Sequence, residues 1–203
     1  MNLYSQIIFP RLLEWSMSGQ PFVRYRQALL STVQGDVLEI GFGTGLNLSH
    51  YPNSVKTLTV VDPNPGCNEI ATRRLKASPM AVDVHMLSGE RLPFTEASFD
   101  SVVSTWTLCS IPQVGQALQE IYRVLKPGGH FFFIEHGLSP EAGIRTWQNR
   151  LTPLQKRIAD GCHLNRPMKD LVTDVFGSVE VDEFYAEGMP KVAAYFYKGK
   201  AEK

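Results

Sequence analysis

The order of elements predicts an α/β fold, doubly wound around one mostly parallel sheet with a single antiparallel edge strand. Three observations carry this reading. Short apolar, β-branched runs alternate with helical periodicity between Asp36 and Glu135, the pattern that buries a parallel sheet between helices. A glycine turn, Gly41-Phe42-Gly43-Thr44-Gly45, follows the first of those runs, and such a turn at a strand's carboxyl end opens a crevice for a ligand. Two aromatic, β-branched runs, residues 179–185 and 192–197, close the chain with a short connection between them, which calls for antiparallel pairing.

Each element has its own signal. Val37, Leu38 and Ile40 form strand one, with Glu39 set into its end. Leu46 and Leu48 are expected on the apolar face of a helix that Tyr51-Pro52 ends. Strand two covers 57–61 and runs into Asp62; Asn64-Pro65 then supplies a cap and first turn for a helix through Lys76. Strand three covers 82–87, and Ser98-Phe99-Asp100 leads into strand four over 101–105, rich in Val and Thr. Val114, Ala117, Leu118, Ile121, Val124 and Leu125 keep helical spacing until Lys126-Pro127-Gly128-Gly129 enforces a turn. Strand five covers 130–135, followed by a polar, helical region over 139–160. Before all of these, Gly19 and Pro21 separate an apolar N-terminal segment from a helix over 22–32. There is no internal repeat or low-complexity stretch.

With 203 residues the chain suits one domain. It divides into a helical cover segment (1–32), a ligand-binding core (36–135) and an acceptor side with the last two strands (136–203). Twenty lysines and arginines balance twenty aspartates and glutamates, so no charge excess points to nucleic acid. Three cysteines, Cys67, Cys109 and Cys162, form no C-x-x-C pair, which argues against a disulfide framework and suits a reducing cytoplasm. The N-terminal segment carries Leu3, Ile7, Ile8, Phe9, Leu12, Leu13 and Trp15, interrupted by Arg11 and Glu14. It falls short of the ~20 apolar residues of a spanning helix and lacks the marks of a signal peptide. Two readings stand: a helix covering the core or substrate mouth, or an interfacial helix giving peripheral membrane contact.

The glycine spacing narrows the ligand. Dinucleotide binders use G-x-G-x-x-G, whereas here the pattern is G-x-G-x-G and Leu46 takes the place of the last glycine. Glu39 just before the turn opposes a pyrophosphate but suits an ammonium or sulfonium group. Asp62, at the end of strand two, is placed to take both hydroxyls of a ribose. In these residues the chain resembles the class I S-adenosylmethionine-dependent methyltransferases. Gly89-Glu90-Arg91-Leu92-Pro93-Phe94 and the run EIYRVLKPGG over 120–129 are similar to the small-molecule members, those of quinone biosynthesis included. The resemblance implies a Rossmann-like, seven-stranded sheet and S-adenosyl-L-methionine as cofactor. It also implies cofactor contacts at Glu39, Gly41, Gly43, Gly45, Asp62, Pro63, Ser88, Gly89, Glu90 and Thr105. Ser88 stands where many relatives carry an aspartate near the adenine amine.

Further segments resemble the thiol methyltransferase-like branch: Thr107-Leu108-Cys109-Ser110-Ile111, Glu135-His136-Gly137, Trp147-Gln148 and the run DGCHLNR over 160–166. That branch carries an N-terminal hydrophobic anchor, present here only in reduced form. Methyl transfer to a small, largely apolar nucleophile, a thiol above all, is therefore expected. His136, Asp160 and His163 are the candidate catalytic groups, His136 because it follows strand five at the ligand-binding end of the sheet. The alternative for the 160–166 run is a loop held by its own side chains. Cys109 reads as a buried small hydrophobe, and Trp106 and Trp147 as packing residues. Cys162, His163 and His136 match no standard metal spacing, so no metal is expected. Rival functions are methylation of a quinone precursor or phospholipid headgroup, and a non-catalytic S-adenosylmethionine-binding scaffold. Small-molecule substrates and no nucleic-acid partner are expected.

Overall fold

The computed structural model describes residues 3–203. Seven strands form one sheet in the order β3-β2-β1-β4-β5-β7-β6. They are β1 (Gly35–Ile40), β2 (Val55–Val61), β3 (Val82–His85), β4 (Phe99–Thr105), β5 (Leu125–His136), β6 (Glu180–Tyr185) and β7 (Tyr195–Glu202). The helices are α1 (Phe9–Met17), α2 (Phe22–Leu30), α3 (Pro65–Ala77), α4 (Val114–Val124), α5 (Ala142–Ile158), α6 (Met168–Phe176) and α7 (Lys191–Ala194). The first five strands pair in parallel. The antiparallel pairing expected at one edge is present: β7 runs against both β5 and β6, and β6 lies outside it.

The sheet separates two apolar cores because strand side chains alternate between faces. Leu38 and Ile40 of β1 pack with Leu118, Ile121 and Val124 of α4 and with Val172 of α6. Val37 packs on the other face, with Leu29 and Leu30 of α2 and Ala71 of α3. Glu39 shares Val37's face, and this alternation directs its carboxylate toward α2.

Several boundaries depart from the sequence reading. No α-helix follows the glycine turn; only a 3-10 turn, Leu48–His50, forms there. The stretch between Gly45 and Pro52 is too short to repay helix nucleation, and the amide of Asn47 is drawn inward to Glu39. The Lys126–Gly129 turn lies within the span of β5 as an irregularity: Phe99 pairs with Leu125 but Ser101 with His130. Residues 192–194 belong to the short helix α7 rather than to the last strand. Helix α6 was not expected, although Met168, Val172 and Phe176 sit four residues apart and are all buried. The Asn64 cap is as expected, its side-chain oxygen accepting from the Gly66 and Cys67 amides.

The N-terminal segment forms a π-helical turn, Tyr4–Ile8, followed by α1. It lies against the start of α3, so close that a Cβ at Gly66 would sit 1.8 Å from the Gln6 carbonyl oxygen. Arg74 of α3 grips Glu14 of α1 through two contacts of 2.6 and 3.2 Å. Among the described residues, no helix is long and apolar enough to cross a membrane.

Gly66→Ala is expected to displace the N-terminal segment, because alanine suits the helix itself while the added methyl overlaps the Gln6 backbone. Overpacking of this kind costs about 1–3 kcal/mol. Hydrogen exchange should show faster exchange over residues 3–17 with the strands still protected; unchanged protection there would contradict the packing.

Candidate functional site

A cavity of about 410 Å³ opens at the carboxyl ends of β1, β2 and β4, where open α/β sheets bind ligands. The glycine turn forms one wall. Gly41 has φ +78°, and a Cβ there would lie 2.0 Å from Thr107 Oγ1, so only glycine passes beneath the β4 loop. Gly43 has φ +55° with nothing closer than 3.8 Å to its virtual Cβ, which leaves that face of the turn open to a ligand. The Gly43 amide donates to Asp62 Oδ2 and the Asn64 amide to Oδ1, each at 2.8 Å. Asp62 is thus fixed in place, with each oxygen keeping a lone pair for a further donor. Burial raises its pKa, partly offset by these two amides.

Glu39 is wholly enclosed. Its oxygens accept from Asn47 Nδ2 at 2.8 Å and from the Tyr51 hydroxyl at 2.7 Å. Burial pushes its carboxyl up to about 7 against these hydrogen bonds and the Arg26 charge.

Arg26 is a site residue that the sequence reading missed. It is buried and lines the cavity. One guanidinium nitrogen donates to the Met17 carbonyl at 2.7 Å, the group lies 4.9 Å from the centre of the Trp106 ring, and Nε has no partner. Burial lowers its pKa to about 10. The clue was present: Phe22, Arg26, Leu29 and Leu30 share the buried face of α2, and an arginine on a core-facing stripe asks for an anion. Trp106 also lines the cavity, with φ +50° and an indole nitrogen that is buried without a partner.

Of the expected cofactor contacts, Glu39, Gly41, Gly43, Asp62, Pro63, Ser88, Gly89 and Thr105 line the cavity. Gly45 and Glu90 do not line it. Gly45 shapes the turn at φ +79°, whereas Glu90 accepts from Ser88 Oγ at 2.9 Å and from the Gln113 amide at 2.8 Å. Thr105 Oγ1 accepts from Asn47 Nδ2 at 3.0 Å.

The three candidate catalytic groups part company. Asp160 lies on the cavity's lining with φ +45°, accepting from Ser5 Oγ at 2.7 Å and Asn64 Nδ2 at 3.2 Å. The histidines are turned away. His163 Nδ1 donates to the Cys109 carbonyl at 3.0 Å, and His136 Nε2 lies 2.9 Å from Cys162 Sγ. The reason is local. His136 ends β5 facing the loops after β4 and α5, where Glu135 holds the 107–109 backbone and leaves the Cys109 thiol beneath the wall. Phe9, Leu13 and Met17 of α1, with Ile111 and Pro112, give the cavity an apolar part of its lining.

The comparisons agree with this geometry. Residues 38–133 match the model of the "Methyltransferase domain" family. Thiol S-methyltransferase TMT1B of Rattus norvegicus is 39% identical over 156 residues, covering 72% of this chain and 62% of that protein. The chain thus spans less than two thirds of that relative's length. Among solved structures, a possible histamine N-methyltransferase from Thermotoga maritima superposes with a TM-score of 0.72 at 20% identity, over 98% of this chain and 97% of that one. A Haemonchus contortus phosphoethanolamine N-methyltransferase holding S-adenosylhomocysteine gives 0.74 at 16% identity, over 96% of this chain and 57% of that one. At such identities these two likenesses speak for the fold alone. Together with the glycine turn and the two strand-end carboxylates, the comparisons identify residues 38–133 as a methyltransferase domain, in a chain with the fold of the S-adenosylmethionine-dependent methyltransferases.

Proposed function

We propose that this chain methylates a small, largely apolar thiol. The observation that carries the reading is one cavity with two kinds of lining: strand-end carboxylates with a glycine turn, and apolar side chains from α1. Similarity to thiol S-methyltransferases over 72% of the chain supports the acceptor class. When bound, S-adenosylmethionine supplies a methyl group activated by its positive sulfur. The chain's residues fit its parts: Arg26 suits a carboxylate, Glu39 an ammonium, Asp62 ribose hydroxyls, and Ser88 with Gly89 an adenine edge.

The protein's share of catalysis is alignment and exclusion of water, and alignment alone contributes on the order of 7–11 kcal/mol. A thiolate approaching a sulfonium loses charge on the way to the transition state, so the apolar lining formed by Phe9, Leu13 and Met17 favours the reaction. Asp160, at the cavity, is the best-placed of the three candidate groups to accept the thiol proton, while His163 ties the 160–166 loop to the β4 loop through the Cys109 carbonyl and His136 ties it to the end of β5 through Cys162. A second reading, peripheral membrane contact, draws on the outer face of the N-terminal segment. Leu3, Ile7, Ile8, Leu12 and Trp15 are all exposed there, Trp15 at 82%, a patch suited to a bilayer interface.

Four outcomes test these readings. Asp62→Ala and Arg26→Met should each weaken S-adenosylmethionine binding by about 1.5–3 kcal/mol, the range for a lost charge-assisted hydrogen bond; wild-type affinity in calorimetry would remove the proposed contacts. Turnover should appear as S-adenosylhomocysteine with aliphatic or aryl thiols. Turnover restricted to quinone precursors or phospholipids would move the assignment to those acceptors, and cofactor binding without any turnover would indicate a scaffold.

A pH effect follows from Glu39. Its folded-state pKa of about 7 lies above the ordinary 4.5, so the free protein is stabilised by protonation at low pH and loses that contribution as pH rises through 7. A ligand ammonium needs the ionised form, so binding should release a proton and tighten as pH rises toward 7. Calorimetry in buffers of different ionisation enthalpy should detect that proton, and Glu39→Gln should abolish the release.

For the membrane reading, the chain should co-sediment with phospholipid vesicles and Leu12→Ser/Trp15→Ser should not. Equal recovery of both in the supernatant would rule the contact out.

A further inference from the structure

Three side chains from separate parts of the chain meet beneath the cavity wall, and none of them lines the cavity in which methyl transfer is proposed. Cys109 follows β4, His136 ends β5 and Cys162 lies in the loop after α5. Their ligating atoms all lie within 4.8 Å of one another, and the two cysteines are only 2% and 6% exposed. We propose that Cys109, His136 and Cys162 bind one thiophilic metal ion of the Zn²⁺ class.

Two thiolates and an imidazole are a borderline-soft donor set, which selects Zn²⁺ or its heavier congener Cd²⁺ over the oxygen-seeking Mg²⁺ and Ca²⁺. The spacing is close to what such an ion demands. Tetrahedral bonds of about 2.3 Å to sulfur and 2.0 Å to nitrogen set those two atoms roughly 3.5 Å apart. His136 Nε2 and Cys162 Sγ now stand 2.9 Å apart in a direct hydrogen bond, so the ion replaces the proton between them and moves them apart by ~0.6 Å. No hydrogen bond pins the far side of the ring against that movement, since its Nδ1 is buried without a partner.

The charges balance. Binding releases the protons of both thiols to solvent, and two thiolates cancel a divalent ion. The neighbouring Glu135 and Arg166, whose charges already act on one another, remain as an opposite pair. The buried surroundings therefore gain no net charge, which is the condition for holding an ion at low cost. Gln155 is half-buried, with its amide nitrogen 3.7 Å from Cys162 Sγ, and the fourth position of a tetrahedral ion would fall to a water.

The ion's role would be structural. It would join the β4 loop, whose Thr107 and Ser110 line the cavity, to the loop after α5, whose Asp160 and Gly161 line it as well. The site does not depend on the methyl-transfer reading, since none of its three donors lines the cavity.

The test is a titration of the reduced, metal-free full chain with Cd²⁺, followed through the ultraviolet thiolate-to-metal charge-transfer band and by native mass spectrometry. One Cd²⁺ per chain is expected, with loss of two protons, protection of Cys109 and Cys162 from alkylation, and a raised melting temperature on adding Zn²⁺. Cys67→Ser should retain the band; Cys109→Ser, Cys162→Ser and His136→Gln should each weaken binding at least tenfold. The wild-type measurement stands even where a variant fails to fold. Absence of a one-to-one complex in the wild type, a band that survives all three substitutions, or a Cys109–Cys162 disulfide resistant to mild reduction would each overturn the proposal.

Discussion

The site's architecture hangs on the buried carboxylate of Glu135. It accepts from the backbone amides of Thr107, Leu108 and Cys109 at 2.7, 2.8 and 3.3 Å. Three amides and a carboxylate buried without each other would cost several kcal/mol; together they satisfy one another. Burial lifts the Glu135 carboxyl to about 7 while these amides pull it down. The turn so fixed sends Thr107 over Gly41, puts Ser110 into the cavity wall and leaves the Cys109 thiol on the opposite side. A single side chain thereby shapes both the cavity and the cluster beneath it.

The two halves of the cavity are supported differently. Glu39, Asp62 and Thr105 stand at the ends of paired central strands, held by ladders on either side. The other side of the cavity draws on the N-terminal segment and the 160–166 loop, joined where the π-helical turn meets the end of α5 and that loop: Ser5 to Asp160, Asn64 to both, and the Tyr4 hydroxyl to the Ile158 carbonyl. Elements held by few polar links open at lower free energy than a central strand. In the function proposed above, the cofactor would meet the strand-anchored part of the cavity and the acceptor the part held by side-chain links.

Arg26 and Glu39 are opposite charges buried within electrostatic reach of one another; burial shifts each toward neutrality and the other's charge opposes that shift. Buried charges of this kind are a poor stabilising device. In the function proposed above, the two ends of a zwitterion would complete them.

Much of this protein was legible in its residues because the information was local. The alternation of Val37, Leu38, Glu39 and Ile40, the positive-φ demand of Gly41 and Gly43, the Asn64-Pro65 cap and the strand-end Asp62 each act within a few positions. Such signals survive in a bare sequence, and with them came the sheet and the cofactor half. The rest depended on distance in the chain. Arg26 reaches the site from α2 only because the sheet face selects it. Helix α6 forms where its apolar stripe finds α4 and β7. The helix expected after Gly45 gives way because Asn47 is needed by Glu39 and Thr105. His136 points to Cys162 rather than to the cavity because Glu135 fixes a turn more than twenty residues earlier in the chain. Local chemistry determined which groups the chain carries, and long-range packing decided which of them face one another.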